Sequence, residues 1–524
     1  MADILEQIVA KRREDISHLG VEFGFAIPEK RSRPIHPFLC SSDGKIQKGV
    51  ILEVKRASPS KGDIAPNLDS GETAVSYAEA GAAAISCLTE TNYFKGNLQD
   101  LIDVCDAVDK FEKETGRQAP AVLRKDFLLN REEIDISYKV GADAVLLIAR
   151  ILDEKTIVAM AKQAARYKIT SLVEVREEND LKKLSAIVNT LNEEERNFIV
   201  CGVNSRDLAD FSIDLLMPCR QLSKIRAVLG NEARVIFESG IRTVQAAHFA
   251  GSLGFTGLLL GEAAAKNPEL RTDLVKSFVE AKQNANSKFW LDIAEKTAEK
   301  NANCPTTINK SLIKICGITR AEDAKLSSEL GADFIGFIFA DGFVRNVAND
   351  GRFEKITKIL PKIKEENKDI KFVAVITDAL SKEAEKAVEY VEKGILDCIQ
   401  FHGINYEDVP KNYLELPHYF ALTDLSSEHG SLVSDAEKLF LMGEPRFLID
   451  LKTQNFCDIQ GSRQQKRHLW LAGGIKPDNI EEILRKYSPE LIDVSSGVEK
   501  VVSVEKVLGI KDEEKLRELF SRLH

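Results

Sequence analysis

Residues 50–62 read VILEVKRASPSKG. The apolar residues 50–52 predict a buried strand, and a carboxylate with three cations follows where that strand should end. Pro59 and Gly62 stop any regular element from continuing. Charges at the carboxyl end of a strand suit an anionic ligand at the active face of an α/β barrel, although a solvated, lysine-rich loop also fits this segment taken alone.

The length and composition of the chain limit its class. A chain of 524 residues exceeds what one hydrophobic core usually serves, so we expect two domains. The content of 44% apolar and 29% charged residues is typical of globular proteins, and the net charge of −10 argues against a broad nucleic-acid surface. No apolar run reaches transmembrane length and the first residues lack signal-peptide features, so we expect a cytoplasmic protein that does not bind membranes. Nine cysteines without CxxC pairs indicate reduced thiols.

The first half of the chain alternates short apolar runs with helix-like segments. Such alternation is typical of a parallel sheet covered on both sides, and about eight units in roughly 250 residues predict a (βα)8 TIM barrel. Apolar residues at helical spacing between positions 5 and 16 predict an extra helix before the first strand. The predicted strands are Gly49–Val54, Ala83–Leu88, Ala121–Leu123, Ala144–Ile148, Ser171–Val175, Phe198–Val203, Val235–Phe237 and Gly257–Leu260.

The second half repeats this pattern, so the predicted fold class is α/β with two tandem TIM barrels. A Gly-Ala-Asp tripeptide leads into a strand in each half, at 141–143 and 331–333. A polar stretch containing Trp290 separates the halves, and we expect domains at 1–283 and 311–524 joined by a partly helical linker, 284–310. The predicted strands of the second half are Leu312–Ile315, Phe334–Phe339, Phe372–Ile376, Ile395–Gln400, Tyr419–Leu422, Phe447–Ile449, Leu469–Ala472 and Leu491–Val494.

Polar residues and glycines follow the predicted strands of the first half. In this fold they converge on a common mouth, and backbone N–H groups after the seventh and eighth strands commonly bind phosphate. The candidates at strand ends are Glu53, Lys55, Lys125, Glu174, Asn204, Arg206 and Glu238, and those of the phosphate end are Ser239, Gly240, Gly261 and Glu262.

Seven sequence blocks give the first half a resemblance to indole-3-glycerol phosphate synthases, in which they occur in the same order. The blocks are EVKRASPSKG, LTETNYFKGN, LRKDF, LVEV, GVNSRDL, ESGI and LLLGEA. The resemblance implies decarboxylative ring closure of carboxyphenylamino-deoxyribulose phosphate to indole-3-glycerol phosphate, carbon dioxide and water. This chemistry needs a group that polarises the substrate carbonyl, a proton donor for the departing hydroxide and a base.

The resemblance also implies roles for individual residues. Lys125 is implied as the general acid of ring closure, and Lys55 as the group that binds the substrate carboxylate or shares the acid role. Which lysine donates which proton stays open. Glu174 is implied to act in dehydration, and Glu53 to hold Lys55 in position and charged. The residues implied to orient or flank the substrate are Ser58, Phe94, Asn204, Arg206 and Glu238. Taken singly, these residues also fit structural ion pairs, caps or core positions.

The second half carries a different set of groups at its predicted strand ends. Cys316 follows the first strand in the block KICGITR, and Asp450 closes the sixth. The predicted phosphate end after the seventh and eighth strands consists of Gly473, Gly474, Ser496 and Gly497. This half resembles phosphoribosylanthranilate isomerase, and the implied reaction is an Amadori rearrangement of phosphoribosylanthranilate through a ring-opened Schiff base and an enolamine.

The resemblance implies Asp450 as the acid that opens the furanose ring and Cys316 as the base that removes the sugar C2 proton. We expect Lys314 or Arg320 to stabilise the thiolate, because nearby cations lower the pKa of a thiol. The residues implied at the substrate are Arg345, which grips the anthranilate carboxylate, and His402, which lines the mouth. Taken alone, Cys316 also fits a small buried core residue and Asp450 a helix cap.

This half departs from the family pattern in three places. FVR at 343–345 stands where Ser-Pro-Arg is usual, LKTQN at 451–455 stands in place of a glycine-rich loop, and Phe401 replaces a leucine. An active synthase with a degenerate isomerase barrel therefore stays open as an alternative, and so does a non-catalytic scaffold protein. Another phosphosugar barrel enzyme fits less well, because Lys55 and Cys316 stand where its first-strand aspartates would be.

The two implied reactions are consecutive, because the isomerase product is the synthase substrate. We expect the intermediate to diffuse freely between the sites. The sequence contains no metal cluster or nucleotide-binding loop, so we expect neither a metal nor a cofactor. The expected partners are small phosphorylated anthranilate–sugar substrates, without nucleic acid, and we expect a monomer.

Overall fold

The chain folds into two barrel-containing units. The computed structural model describes residues 4–41, 43–207, 210–303, 311–423, 432–450, 468–502 and 505–523. The compact units are residues 1–283 and 284–524. Each contains a closed barrel of parallel strands that follow one another in sequence order, which confirms the predicted fold class.

The first barrel is built from eight strands, β1 to β8. They are almost entirely buried, because their continuous apolar sequences face the barrel interior on one side and the helices on the other. Ile51 of β1 lies beside Leu259 of β8 and Ala84 of β2, so the first strand closes the barrel. The strands are β1 (Gly49–Val54), β2 (Ala84–Leu88), β3 (Ala121–Lys125), β4 (Ala144–Ile148), β5 (Thr170–Val175), β6 (Ile199–Asn204), β7 (Val235–Glu238) and β8 (Gly257–Leu260).

Helices surround this barrel, and a short antiparallel hairpin, Ala57–Ser58 with Gly62–Asp63, follows β1. The α-helices of the first unit are Ile4–Leu19, Ser70–Glu79, Leu98–Thr115, Glu132–Lys139, Glu154–Arg166, Glu178–Thr190, Glu193–Arg196, Met217–Leu229, Val244–Ser252, Glu262–Lys266 and Arg271–Glu280. The first of them is the helix that apolar spacing predicts before β1.

The second barrel repeats this architecture, with a second antiparallel hairpin, Glu499–Val502 with Glu505–Lys511, after its last strand. Its strands are β9 (Leu312–Ile315), β10 (Phe334–Ile338), β11 (Lys371–Ile376), β12 (Cys398–His402), β13 (His418–Thr423), β14 (Phe447–Asp450), β15 (Trp470–Ala472) and β16 (Leu491–Val494). Its α-helices are Ala285–Asn303, Ala321–Glu329, Arg352–Thr357, Leu360–Glu366, Lys382–Glu392, Leu432–Met442, Ile480–Tyr487 and Glu513–Ser521.

The Gly-Ala-Asp tripeptides end a helix and connect two neighbouring strands in both barrels. Their glycines adopt left-handed backbone φ angles of 108° and 101°, which end the preceding helix. Asp143 Oδ2 accepts a hydrogen bond from Val122 N of β3 at 2.9 Å. Asp333 Oδ2 accepts one from Ile313 N of β9 at 2.8 Å. Each aspartate therefore ties the start of one strand to the strand before it.

The helix Ala285–Asn303, which falls in the predicted linker, packs against the second barrel. Trp290 of this helix is fully buried, and its ring centroid lies 5.9 Å from that of Trp470. Because Trp470 begins β15, this contact covers the amino-terminal end of the barrel, opposite the mouth. Residues 304–310 of the predicted linker lie outside the described residues.

The described helices and cysteines allow two of the sequence expectations to be compared with the structure. Within the described ranges, no helix has both the length and the apolar character that crossing a membrane requires. The cysteines in the part of the chain that the structure describes are free thiols. Cys304 and Cys457 lie outside that part.

Candidate active site

The carboxyl ends of β1 to β8 surround a cavity at the mouth of the first barrel. The predicted residues that line it are Glu53, Lys55, Ser58, Phe94, Lys125, Glu174, Asn204, Arg206, Ser239, Gly240, Gly261 and Glu262. Glu238 differs from them, because its side chain is fully buried beside Lys125 instead of lining the cavity.

Glu53 holds both lysines of this cavity. Its Oε1 lies 2.5 Å from Lys55 Nζ, and its Oε2 lies 3.0 Å from Lys125 Nζ. Burial opposes the charge on Glu53, but the two ammonium groups outweigh burial and lower its pKa to about 2. Burial also opposes the charge on Lys125, yet the surrounding carboxylates, Glu53 first, raise its pKa above the ordinary value. Glu53 thus pairs with both lysines, whereas the sequence assigned it to Lys55 alone.

Two carboxyl groups lie near Lys125, that of the partly buried Glu174 and that of the fully buried Glu238. Burial raises the pKa of Glu174, partly offset by Lys125 and by a hydrogen bond from Asn204. Burial and then the nearby Glu174 charge raise the pKa of Glu238 to about 8. A pKa of about 8 keeps Glu238 mainly protonated near neutral pH. This pair can therefore supply a proton at the pH at which Lys125 stays charged.

Two glycines leave room for these charged groups. A Cβ on Gly202 of β6 would lie 2.1 Å from Glu238 Oε1. A Cβ on Gly261, directly after β8, would lie 2.6 Å from Glu53 Oε1 and 2.7 Å from Lys55 Nζ. No side chain fits at either position without moving the site, so both glycines are structural requirements of the charge arrangement.

The predicted phosphate end begins with a strained turn after β7. Ser239 has a φ of 69° and Gly240 a φ of 86°, both in the left-handed region. A serine adopts this conformation at a cost of roughly 1 kcal/mol or more, which neighbouring contacts must offset. Ser205 provides one of them, because its Oγ donates a hydrogen bond to the carbonyl oxygen of Ser239 at 2.9 Å.

Two cations near the predicted phosphate end of the cavity were not assigned to the site from the sequence. Arg242 and Lys61 both line the cavity near Glu262. The Glu262 carboxylate lies 2.9 Å from Lys266 Nζ and 3.8 Å from Arg242 Nη2. The Glu262 side chain is negatively charged and pairs with these cations. Glu262 can therefore bind an anion only through its backbone N–H group.

Apolar side chains form another wall of the cavity. Leu5 and Ile8 of the helix Ile4–Leu19 are buried and line it. Phe94 and Phe127 line it as well, with ring centroids 6.0 Å apart. The amino-terminal helix is therefore part of the site, which the sequence did not predict.

A buried ion network attaches this helix to the barrel. Arg12 lies 3.0 Å from Asp126 Oδ1 and 2.5 Å from Glu133 Oε1, and its guanidinium also stacks over Phe23. Asp126 follows Lys125 directly in the chain. The position of the helix is thus coupled through Arg12 to the loop that directly follows Lys125.

The mouth of the second barrel contains a second cavity. The predicted residues that line it are Cys316, Arg345, His402, Asp450, Gly473, Gly474, Ser496 and Gly497. The glycines and Ser496 follow β15 and β16, so the base, the acid and the phosphate end of the prediction share one cavity. As far as the structure describes the chain, no three His, Cys, Asp or Glu side chains are grouped so that they could hold a metal ion.

The environment of Cys316 corrects one expectation. Burial raises the pKa of its thiol, Asp493 raises it further, and Lys314 and Lys511 only partly offset them. Lys314 does lower the pKa of Cys316, as expected, but it does not outweigh burial and Asp493. Lys314 Nζ pairs with Asp493 at 2.6 Å, and Arg320 pairs with a carboxylate on the following helix at 2.5 Å.

A chain of hydrogen-bonding groups connects Lys314 with Asp450. Lys314 Nζ donates to Gln400 Oε1 at 2.5 Å, and Gln400 Nε2 lies 3.1 Å from His402 Nδ1. Because an ammonium only donates, it fixes the amide of Gln400 with its nitrogen toward His402. Nδ1 then accepts, and the neutral ring carries its proton on Nε2. His402 Nε2 lies 3.7 Å from Asp450 Oδ2, so this proton faces the predicted acid.

The three departures from the isomerase pattern have different locations. Phe343 is half-exposed and lines the cavity, whereas the exposed Val344 does not. Phe401 is fully buried against Phe420, with ring centroids 5.1 Å apart, and does not line the cavity. Residues 451–455 lie outside the described residues. The change at Phe401 therefore affects core packing alone.

Comparison with known proteins matches each of the two barrels to a different enzyme family. Residues 5–277 match the family model of indole-3-glycerol phosphate synthase, which is more than half of the chain. The chain belongs to this synthase family. Residues 313–522 match the family model of N-(5'-phosphoribosyl)anthranilate isomerase, so a synthase domain and an isomerase domain follow each other in tandem.

Individual relatives of this synthase-family chain match either about half of it or most of it. The indole-3-glycerol phosphate synthase of Exiguobacterium sibiricum is 34% identical over 51% of this chain and 94% of its own length. The tryptophan biosynthesis protein TrpCF of Haemophilus influenzae is 26% identical over 90% of this chain and 86% of its own length. A multifunctional tryptophan biosynthesis protein of Phycomyces blakesleeanus is 28% identical over 86% of this chain, which spans only 60% of that relative's length.

Several functional neighbours in this synthase-family chain escaped the sequence analysis. Asp493 is a charged residue within the apolar strand β16, and Glu499 ends the block DVSSGVE. Both could therefore have been recognised from the sequence. Gly202 and Arg242 could not be recognised, because their importance depends on the residues that the fold places beside them, Glu238 and Glu262.

Proposed function

We propose that the two barrels catalyse consecutive steps of tryptophan biosynthesis. The second barrel isomerises phosphoribosylanthranilate to carboxyphenylamino-deoxyribulose phosphate. The first closes that product to indole-3-glycerol phosphate with loss of carbon dioxide and water. The observation that carries the synthase part is the Glu53 carboxylate between the ammonium groups of Lys55 and Lys125.

In ring closure, Lys125 donates a proton to the substrate's keto oxygen as the anthranilate ring carbon attacks, so that this oxygen becomes a hydroxyl group, and the lysine regains its proton from solvent. The surrounding carboxylates raise the pKa of Lys125 and keep it protonated until the substrate binds. Lys55, whose side chain is 16% exposed, binds the substrate carboxylate until carbon dioxide leaves. The apolar wall with Phe94 flanks the anthranilate ring and excludes water.

Dehydration follows and uses the carboxyl groups of Glu174 and Glu238. Glu174 and Glu238 hold one proton between them, and that proton goes to the departing hydroxide to form water. The carboxylate that remains takes the last proton from the indole precursor, which restores the pair for the next cycle. Asn204 keeps Glu174 oriented toward the substrate through its hydrogen bond.

In the second barrel, Asp450 protonates the furanose oxygen and opens the ring to a protonated Schiff base. The Nε2 proton of His402 faces Asp450 and stabilises the carboxylate that forms. Cys316 then removes the C2 proton. Burial raises the pKa of this thiol, so Cys316 first loses its proton to solvent, and the cation of the Schiff base stabilises the thiolate that then acts as the base. Acid catalysis therefore precedes base catalysis.

Two single variants test both assignments. Lys125→Ala should abolish formation of indole-3-glycerol phosphate while ketose formation from freshly prepared phosphoribosylanthranilate continues. Cys316→Ala should have the opposite effect. Unchanged activity in both variants would refute the site assignments, and absence of either activity in the wild type would refute the function of that barrel. Growth rescue of two tryptophan auxotrophs, each lacking one activity, gives an independent measurement.

The remaining properties follow from the same proposal. The protein acts in the cytoplasm as a monomer, on small phosphorylated substrates and without nucleic acid, in line with its net charge of −10. The intermediate diffuses freely from the second barrel to the first.

A further inference from the structure

The cavity of the second barrel contains an arginine whose orientation is fixed from behind. Arg345 lines the cavity, and its Nε and Nη2 donate to Glu499 Oε1 and Oε2 at 2.6 and 2.8 Å. The Glu499 carboxylate is fully buried, whereas the side chain of Arg345 is 20% exposed. This is a bidentate pair with one partner in the core and the other at the ligand site.

The geometry of the pair determines which face of the guanidinium a ligand can use. A guanidinium has a side edge, formed by Nε and one Nη, and an end edge, formed by the two Nη atoms. Glu499 occupies the side edge of Arg345. The end edge remains for a second carboxylate, and the rigid fork allows both partners to lie in one plane.

Glu499 is itself held by the hairpin that follows β16. Its Oε1 accepts a hydrogen bond from Gly509 N at 2.9 Å and lies 3.8 Å from Lys511 Nζ. Lys511 Nζ in turn donates to the carbonyl oxygen of Ser495 at 3.0 Å. The hairpin therefore fixes Glu499, and Glu499 fixes Arg345.

The loop of Arg345 packs closely enough to make this orientation specific. A Cβ on Gly317 would lie 2.8 Å from Arg345 Cδ, and the φ of Gly317 is 71°. Gly317 follows Cys316 directly, so the stem of Arg345 passes against the backbone beside the predicted base. The guanidinium has little freedom to rotate away from Glu499.

We propose that Glu499 is a positioning residue, which presents the end edge of Arg345 to the ring carboxylate of the isomerase substrate. Glu499 touches no substrate and acts only through Arg345. The inference rests on the proposed isomerase function, and it predicts that the fully buried Glu499 affects the recognition of one substrate group.

The test compares two substrates in the intact protein. One is phosphoribosylanthranilate, and the other is the corresponding phosphoribosyl derivative of aniline, which lacks the ring carboxylate. Glu499→Gln should raise KM for the anthranilate substrate by about tenfold or more, because a charge-assisted hydrogen bond to a buried partner is lost. The value of kcat should change little, and the kcat/KM for the aniline substrate should stay within about twofold of the wild-type value.

A double-variant cycle separates this role from a general structural one. Arg345→Met removes the carboxylate contact itself, so Glu499→Gln should add no further rise of KM in that background. Glu513→Gln is the control, because the Glu513 carboxylate accepts hydrogen bonds from Nε and Nη2 of Arg517 and neither residue lines the cavity. This variant should leave KM unchanged for both substrates.

Folding can be followed separately for each variant. The two tryptophans of the chain, Trp290 and Trp470, are both fully buried in the second unit. Their fluorescence therefore reports the integrity of the isomerase barrel alone. Glu499→Asp, which retains the charge, should recover most of the lost affinity.

Three results would overturn the inference. One is an equal loss of kcat/KM for both substrates in a variant with native tryptophan fluorescence. Another is an additive effect of Glu499→Gln in the Arg345→Met background. The third is an unchanged KM in Glu499→Gln while Arg345→Met raises it, which would leave the proposed function intact. A wild-type protein without isomerase activity would refute the proposed function and this inference with it.

Discussion

The carboxylate of Glu238 occupies the space that a side chain on Gly202 would fill. A Cβ at Gly202 would lie 2.1 Å from Glu238 Oε1 and 3.1 Å from a methyl carbon of Leu172. The two residues belong to neighbouring strands, β6 and β7, and both are buried. The absence of one side chain is thus what allows a carboxyl group inside the barrel, beside Lys125.

Gly202→Ala should therefore reduce synthase activity as well as stability. The methyl group forces Glu238 away from Glu174 and Lys125, and overpacking of this kind costs about 1–3 kcal/mol. We expect kcat for ring closure to fall by at least tenfold, by analogy with the loss of one proton-transfer group. Gly71→Ala is the matched control, because its Cβ would meet nothing closer than 3.5 Å. Equal kcat values in the two variants would contradict this role of Gly202.

Replacement of Glu53 by Gln should impair both lysines at once. Without its charge, burial lowers the pKa of Lys125, and Lys55 loses a partner at 2.5 Å. We expect synthase kcat/KM to fall by about two orders of magnitude or more, with isomerase activity unchanged in the same preparation. The pH profile should show a new loss of activity toward high pH, where the lysine deprotonates. A profile identical in shape to that of the wild type would refute the bridging role.

The raised pKa of Glu238 should make the stability of the first barrel depend on pH. Between its ordinary pKa near 4.5 and its folded value of about 8, the folded state binds more protons than the unfolded state. Stability from this group is therefore present at low pH and is lost as the pH rises toward 8. Glu53, whose pKa is lowered to about 2, has the opposite effect, and its contribution is lost as the pH falls below 4.5.

Hydrogen exchange of peptides from the first barrel measures this dependence. In the wild type, global protection should decrease between pH 5 and 8 after correction for the intrinsic exchange rate. Glu238→Gln should flatten that decrease, because the amide does not titrate. A wild-type slope that persists in this variant would assign the effect to another group.

The amino-terminal helix should contribute to substrate affinity through Arg12. Arg12→Met removes one of two arginines beside the buried Asp126 and Glu133. Because Arg124 remains 3.2 Å from Asp126, we expect a loss below the roughly 3–5 kcal/mol of a fully broken buried pair. The helix should then detach more often and withdraw Leu5 and Ile8 from the cavity, which raises the synthase KM. Lys11→Met, which removes only exposed pairs on the same helix, is the control. Equal KM values for both variants would argue against a role of the helix.

The sequence predicted the barrels well, because continuous apolar strands and the glycines between them are local signals. The start and end of β1, β4 and β8 agree with their predicted bounds, and so do those of β9 and β16. The longest error is at β12, which begins at Cys398 and not at Ile395, because Ile395 and Leu396 belong to the turn after a helix.

The predicted sites could be assembled only in part. Residues at strand ends, such as Lys125 and Asp450, converge as the fold requires. The residues that pair with these groups could not be predicted from the sequence, because they come from distant segments of the chain. The pairing of Arg345 with Glu499 spans 154 positions of the chain, and the raised pKa of Cys316 depends on burial that a single sequence does not report.

The helix Ala285–Asn303 determines where the two enzymes can be separated. It lies before the first strand of the second barrel, yet Trp290 covers Trp470 at the base of that barrel. A fragment that starts at residue 311 leaves this tryptophan exposed to water, whereas one that starts at residue 284 retains its cover. Any gene fission that yields two stable enzymes must therefore cut upstream of this helix.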